Sequence, residues 1–431
     1  MRAHTARLRS SFWAIPALVV LGGVVLSYLA EWADALLAED ASGWYLFGGG
    51  PEGARSVLET IAGSMMTFTG LVFSVTILVL QQASTQFSPR ALRAFLEDRA
   101  SKLTLGLFVG TFVYALLTLR TVRGTSEEMD VEAHVPSLSI WLAVILVMGC
   151  VAAFIVFIHH VAQSIRPTVV LHRIAERARA SIDSLYPESV GEDLEEAEAV
   201  EVPSGVPQLV VPNPHRSGVI ARVDEETLLE ALSLGDAPPE STVFVRMLSR
   251  PGDYVLEHAP LFEVWGSGAS RLDVGRLTAA VEVERDRDVA QDAAFGLREL
   301  LDVALRALSP STNDPTTAVA AVDRVHDLLR RLVRRRFPSP LRRGRDGRAA
   351  VLLPRPQFDD YVRLAVDELR VFGASQSQFQ LTRRLHAMIE DLLSLAPPFR
   401  RKELVRQRML LDRAIARGFE DELDRPSAHE T

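Results

Sequence analysis

Four long apolar runs occupy the first 161 residues, at about 11–30, 57–82, 103–120 and 138–160. Each is long enough to cross a bilayer as a helix at about 1.5 Å rise per residue. Trp13 and Tyr28, near the ends of the first run, occupy positions where interfacial aromatics tend to lie. The second run differs from the others. Residues 60–80 carry no charge, yet Thr60, Gly63, Ser64, Thr67, Gly70 and Ser74 recur three or four residues apart and share one helical face. Gln81, Ser84 and Thr85 extend that face past the apolar part. A membrane helix with one small, hydroxylated face either packs tightly against another helix or faces water. Sequence leaves both readings open.

After residue 161 the texture changes. Residues 162–205 read as a basic amphipathic helix (167–186) followed by an acidic run (188–201), which is a solvated linker or exposed helix, or else an ion-binding patch. Residues 206–270 read as strands: VPQLVV, SGVIARV, TVFVRML and DYVLEHAPLFEVW are rich in β-branched and aromatic residues and punctuated by Pro and Gly. Asp224-Glu225-Glu226 opens a short helix between them. The fragment RPGDYVLEHAPLFEV resembles part of a biotinyl or lipoyl carrier barrel, but no Lys lies between Lys102 and Lys402 to carry a cofactor. From Arg271 to the end the pattern is helical, with segments near 288–308, 315–336, 357–371, 377–395 and 400–423. Residues 334–348, dense in Arg with Pro and Gly, read as an exposed loop able to meet solvent or anionic lipid. The expected fold is therefore a membrane domain of four transmembrane helices (1–161) plus a cytoplasmic α+β part, a small β module (206–270) followed by a helical domain (271–431).

Charge adds orientation. Arg2, Arg7 and Arg9 precede the first run; Arg90, Arg93, Arg99 and Lys102 follow the second; Arg166, Arg173, Arg177 and Arg179 follow the fourth. Acidic residues dominate the other two connections (Glu31, Asp34, Glu39, Asp40, Glu52; Glu127, Glu128, Asp130, Glu132). The positive-inside rule then puts both termini in the cytoplasm. A basic start with an apolar run also fits a cleaved signal peptide; the length of the run and the three spans after it favour a retained helix. Between the second and third spans, Ser88 and Pro89 predict the start of a short helix. The formal net charge of −8 argues against nucleic acid as a partner, and Cys150 is the chain's one cysteine, so no intrachain disulfide forms.

Candidate chemistry is sparse. The sequence contains no phosphate-cradling glycine loop, paired-cysteine zinc spacing or metalloprotease motif, so neither a catalytic residue, a metal nor a cofactor is expected. His159 and His160 are adjacent on a helix, about 100° apart, and cannot both reach one ion from it. The segment 307–318, ALSPSTNDPTTA, is the sharpest local feature. Pro310 forces a turn, Asn313 or Asp314 caps the next helix, and Pro315 fits its first turn. The functional alternative has Ser309, Asn313, Asp314 and Thr316 lining a site at a helix N-terminus, with the charges of 284–288 and Gln291-Asp292 as a helix start or as partners to that loop.

QQASTQFSPRALRAFLEDR (81–99), QDAAFGLRELLDVALRALSPSTNDPTTA (291–318) and the four-span layout resemble a bacterial family of predicted membrane proteins, domain of unknown function 2254. The resemblance covers nearly the whole chain. It implies an inner-membrane protein with SPxxNDP as a signature; members commonly read SPGINDPFTA, where this chain has Ser311, Thr312 and Thr316. Taken together, the expectation is a non-enzymatic, homo-oligomeric, channel-like or passive transport protein in the lipid bilayer. Its pore-lining candidates are Thr60, Ser64, Thr67, Gly70, Ser74 and Gln81, and an ion or small molecule is its ligand. The alternative is a membrane-anchored sensor or scaffold whose cytoplasmic part binds a ligand or protein partner.

Overall fold

The computed structural model describes residues 13–37, 47–86, 99–124, 134–164, 166–186, 203–232, 238, 240–285, 287, 292–344 and 347–419. The basic N-terminus, the helix expected at Ser88 and the acidic run 188–201 lie outside the described residues. The chain forms two compact units, 1–170 and 171–431.

In the first unit, α1 (Ala14–Leu37), α2 (Gly50–Gln86), α3 (Arg99–Thr121) and α4 (Ser137–Ser164) are all long and apolar enough to cross a membrane. Two boundaries differ from the expected 11–30 and 57–82, because residues 31–37 and 50–56 are also helical. Pro51 and Glu52 explain the second: proline costs no hydrogen bond in a first turn, and an acid there faces the positive helix end. α3 packs against both α1 and α2. A Cβ on Gly23 of α1 would lie 2.8 Å from the Gly110 carbonyl oxygen, so the two backbones touch. Gly106 and Gly110 form the small-xxx-small pattern that permits such approach. Phe68, Phe108 and Phe154 lock α2, α3 and α4 together at centroid separations of 5.4–6.4 Å.

One acid is held inside this unit. Asp34, only 7% exposed, accepts hydrogen bonds from the backbone N–H of Leu138 (2.8 Å) and Ser139 (3.0 Å) and from the Ser139 hydroxyl (2.5 Å). The end of α1 thus supplies the cap for the first turn of α4, where free N–H groups and the helix dipole both favour a carboxylate. At the end of α3, Arg55 donates to the Val122 carbonyl at 3.2 Å.

The second unit contains most of α5 (Pro167–Leu185) and two sheets. The strands expected at 206–265 form β1 (Leu209–Pro212), β2 (Gly218–Val223), β3 (Val243–Met247), β4 (Tyr254–Val255) and β5 (Pro260–Trp265), with α6 (Glu225–Ala231) capped by Asp224. After α7 (Val274–Ala279), the chain is not purely helical as expected. β6 (Val281–Glu284), β7 (Leu341–Arg343) and β8 (Ala349–Leu352) complete the sheets, in the orders β1-β5-β3-β8-β7 and β4-β2-β6. The arginine-rich segment is thus partly a hairpin rather than a loop. Ala349 and Val351 are buried at alternate positions while β8 pairs parallel with β3, so burial of one strand face outweighs the polar flanks.

Helices α8 (Ala293–Ala307), α9 (Pro315–Val333), α10 (Phe358–Ser375), α11 (Phe379–Leu395) and α12 (Arg401–Gly418) fill the rest. Their apolar stripes converge on residues such as Leu300, Leu329, Leu385 and Leu411, all 0% exposed. The basic face of α5 is paired: Arg177 with Glu299 (3.3 Å) and Arg179 with Asp327 (2.5 Å), while Asp183 of α5 receives Arg331 and Arg335 (both 2.6 Å). Arg400 closes α9. Its guanidinium donates to the carbonyls of Leu332 (3.1 Å), Val333 (2.5 Å) and Arg335 (2.8 Å) and lies over the Phe337, Phe358 and Phe399 rings. A cation at a helix C-terminus satisfies free carbonyls and complements the dipole. Burial pushes its pKa down to about 10, so it stays charged at neutral pH.

Candidate functional site

The hydroxylated face of α2 turns outward from its own bundle. Leu58, Ile61, Ala62, Met65 and Val72 form the buried face; Thr60, Thr67, Gly70, Ser74 and Gln81 are exposed and Ser64 is half-buried. A Cβ on Gly63 or Gly70 would meet nothing within 4 Å. Among the described residues, then, this face is not a seam against a neighbouring helix of the same chain. Three of its hydroxyls need no outside partner to remain in an apolar medium. Thr60 donates to the Ser56 carbonyl (2.7 Å), Ser64 to that of Thr60 (2.6 Å) and Thr67 to that of Gly63 (3.0 Å), each one turn back. Large apolar side chains such as Met66, Phe73 and Leu78 flank the small residues on the same outward surface.

The 309–316 segment is a tight connection between α8 and α9. The Asp314 N–H donates to the Ala307 carbonyl (2.7 Å) and that of Asn313 to the Ser309 carbonyl (2.9 Å). Asn313 adopts a left-handed φ of 45°, which asparagine tolerates better than most residues. Asp314 caps α9 by accepting from Thr317 N–H (3.0 Å) and Thr317 Oγ1–H (2.5 Å), and those bonds hold its pKa below the ordinary carboxylate range. Ser309 reaches the Ser311 and Thr312 hydroxyls at 3.2 and 3.3 Å. Asn313 and Thr316 are exposed. The four candidates are brought close together, but on an open turn whose polar groups are largely satisfied by one another.

A pocket enclosing about 90 Å³ lies elsewhere in the second unit, between the sheets and the helices. Leu185, Val223, Met247 and Leu353 form apolar wall; Tyr186, Glu225, Asp292, Arg355 and Tyr361 bring polar groups to it. The tyrosine hydroxyls meet at 2.8 Å with both residues at least 96% buried, and burial raises the pKa of Tyr186 to about 12 and raises that of Tyr361 as well. Asp292 caps α8 by accepting from Phe295 N–H (3.1 Å) and pairs with Arg287 (Nε–Oδ2 2.9 Å). Burial raises the Asp292 pKa, with Arg287 opposing. Of the charges at 284–292, Asp292 starts α8 and is paired with Arg287 rather than with the 309–316 turn, Glu284 ends β6, and Asp286, Asp288 and Gln291 lie outside the described residues. The pair packs instead on the turn at Gly252, whose φ of 94° and lack of room (a Cβ would lie 2.3 Å from Asp292 Oδ2) both require glycine. Glu225, the first residue of α6, is held by Arg342 (2.9 Å) and by Arg355. Sequence reading did not bring these residues together, because the pocket lining comes from five separate stretches. The local signals were the RPGD turn at 250–253 and the Pro354-Arg355-Pro356 strap.

Among the described residues no group of three or more His, Cys, Asp or Glu side chains has an arrangement that could hold a metal. The profile of a family described as "Predicted membrane protein (DUF2254)" matches residues 9–391. An uncharacterised protein of Mycobacterium bovis and one of Mycobacterium tuberculosis are each 34% identical to the chain over 429 residues, covering 97% of it and 78% of the relative. No solved structure matches. With its four apolar helices in place and the profile spanning most of its length, the chain belongs to the DUF2254 family of predicted membrane proteins.

Proposed function

We propose that this membrane protein is a homo-oligomeric passive conduit in which the outward face of α2 meets the symmetry axis and the C-terminal unit serves assembly and gating. The observation that carries the reading is the open, small-residue surface running from Thr60 through Gly63, Thr67 and Gly70 to Ser74, which no other helix among the described residues covers. Small residues let helices of separate copies approach closely, and their hydroxyls offer a weakly polar lining. Residues 60–80 hold no ionisable side chain, so a proton- or ion-coupled cycle has no group at mid-depth to run on. The distribution of Arg and acidic residues supports an inner-membrane orientation with both termini cytoplasmic.

Reconstitution in liposomes tests it. The expected result is saturating flux of a small ion or solute, reduced at least severalfold by Thr67→Leu and Ser74→Leu, with cross-linking between copies through Cys at position 67. Absence of flux with every solute, or flux indifferent to both substitutions, removes the pore from the reading. The pocket in the second unit favours a second reading, a membrane-anchored sensor. A ligand-dependent rise in melting temperature with no flux would select it.

A further inference from the structure

The pocket between the sheets and the helices of the second unit has a definite chemical bias. Three guanidiniums, Arg287, Arg342 and Arg355, surround two carboxylates, Asp292 and Glu225. Further out, Arg250 is paired with Asp253 and Arg363 with Asp360. Among the described residues, one positive charge is therefore in excess. It belongs to Arg355: Glu225 keeps Arg342 as a partner, and Arg355 directs a single N–H to Glu225 although a guanidinium carries five. Arg355 is held between two prolines at the pocket wall, with its side chain 19% exposed.

The buried tyrosine pair supplies a second bias, independent of charge. Two hydroxyls that share one hydrogen bond leave one O–H unspent. Tyr361 is 1% exposed and Tyr186 4%, so that donor is buried, and both residues line the pocket. A buried donor without an acceptor costs free energy, which a ligand oxygen would relieve. The same lining includes the apolar side chains of Leu185, Val223, Met247 and Leu353. A volume of about 90 Å³ is smaller than the roughly 150 Å³ of a cavity that admits benzene.

We infer that this pocket binds a small organic monocarboxylate of about three or four carbons, its carboxylate facing Arg355 and the Tyr186–Tyr361 hydroxyls, its carbon chain against Leu185, Val223, Met247 and Leu353. The volume excludes larger acids from full enclosure, and the apolar wall favours a carbon chain over inorganic phosphate. A cation is disfavoured because both carboxylates already have guanidinium partners. The inference rests on the pocket alone and not on conduction through the membrane unit, so failure of either leaves the other standing.

Isothermal titration of the full chain in detergent with propionate, pyruvate and butyrate tests it, with phosphate and methylammonium as comparison probes. The expected result is saturable binding of at least one carboxylate and none of methylammonium. Arg355→Met should weaken it by roughly tenfold or more, as loss of a charge-assisted pair does. Tyr361→Phe keeps the ring and its packing, so it tests the site even where Arg355→Met fails to fold; about fivefold weakening is expected from one lost hydrogen bond. Binding of no carboxylate, unchanged affinity in both variants, or a preference for methylammonium or phosphate would overturn the assignment.

Discussion

The two units of this protein turn their large apolar residues in opposite directions. In the first, Leu18, Ile145 and Ile155 are 71%, 63% and 65% exposed; in the second, Leu300, Leu329 and Leu385 are 0% exposed. An apolar side chain facing out of a bundle is stable where the surroundings are lipid, and one facing in is stable where they are water. The buried charges, by contrast, are handled alike. Asp34 fills the N-terminus of α4, and Arg400 fills the C-terminus of α9. Helix ends carry unpaired N–H or C=O groups and a partial charge in either medium, so each of these two ions sits at a helix end of opposite sign. The difference lies in the number of contacts that support the ion. Arg400 has three aromatic rings around it as well as three carbonyls, whereas Asp34 relies on hydrogen bonds alone.

That contrast is sharpened by substitution. Arg400→Met should be the most damaging change, costing about 3 kcal/mol in the second unit because buried carbonyls lose a charged donor. Denaturant unfolding of the purified protein in detergent measures it; a loss under about 1 kcal/mol would mean water replaces the guanidinium readily. Asp34→Ala should cost about 2 kcal/mol in the membrane unit, the upper end of capping effects. Asp34→Asn should cost less, since one acceptor oxygen remains. Equal losses for the two would show that the charge, rather than the hydrogen bonds, supports α4.

A smaller effect separates the units by pH. His326 accepts from Arg384 at Nδ1 (2.7 Å) and therefore donates from Nε2 to Asp391 (2.8 Å), which fixes the neutral tautomer. Burial, first, and then Arg384 and Arg330 depress its pKa, against the pull of Asp391. The folded state then binds the proton more weakly than the unfolded state does. Stability from this group is complete above the unfolded pKa of about 6.5 and is lost as pH falls toward the folded value. The slope is at most about 1.4 kcal/mol per pH unit. Melting of the second unit from pH 7 to 5 should show a component missing in His326→Gln. Asp314→Ala ranks last, at about 1 kcal/mol for a lost cap. A larger loss in binding than in stability would restore the 309–316 turn as a site.

Much of the architecture is legible in the residues because its causes are local. Runs of about twenty apolar residues need no partner to be recognised as spans, and Asp224 and Asp314 cap helices that begin beside them. The β7–β8 hairpin was not legible. Its composition is dominated by arginines, while the strand that accepts it, β3, lies about a hundred residues earlier. The same distance hid the pocket, whose parts come from 185–186, 223–225, 247–251, 292–293 and 353–361.

The hydroxylated face of α2 shows where the division falls. Its periodicity alone establishes that Thr60, Ser64, Thr67, Gly70 and Ser74 share one side of a helix, because 3.6 residues per turn is a property of the backbone. Which way that side turns was decided by packing. Leu58, Met65 and Val72 on the opposite face meet the bundle, leaving the small residues outward. Periodicity records neighbours within one element; contacts between elements far apart in sequence leave no periodic trace and become visible only when the chain is folded.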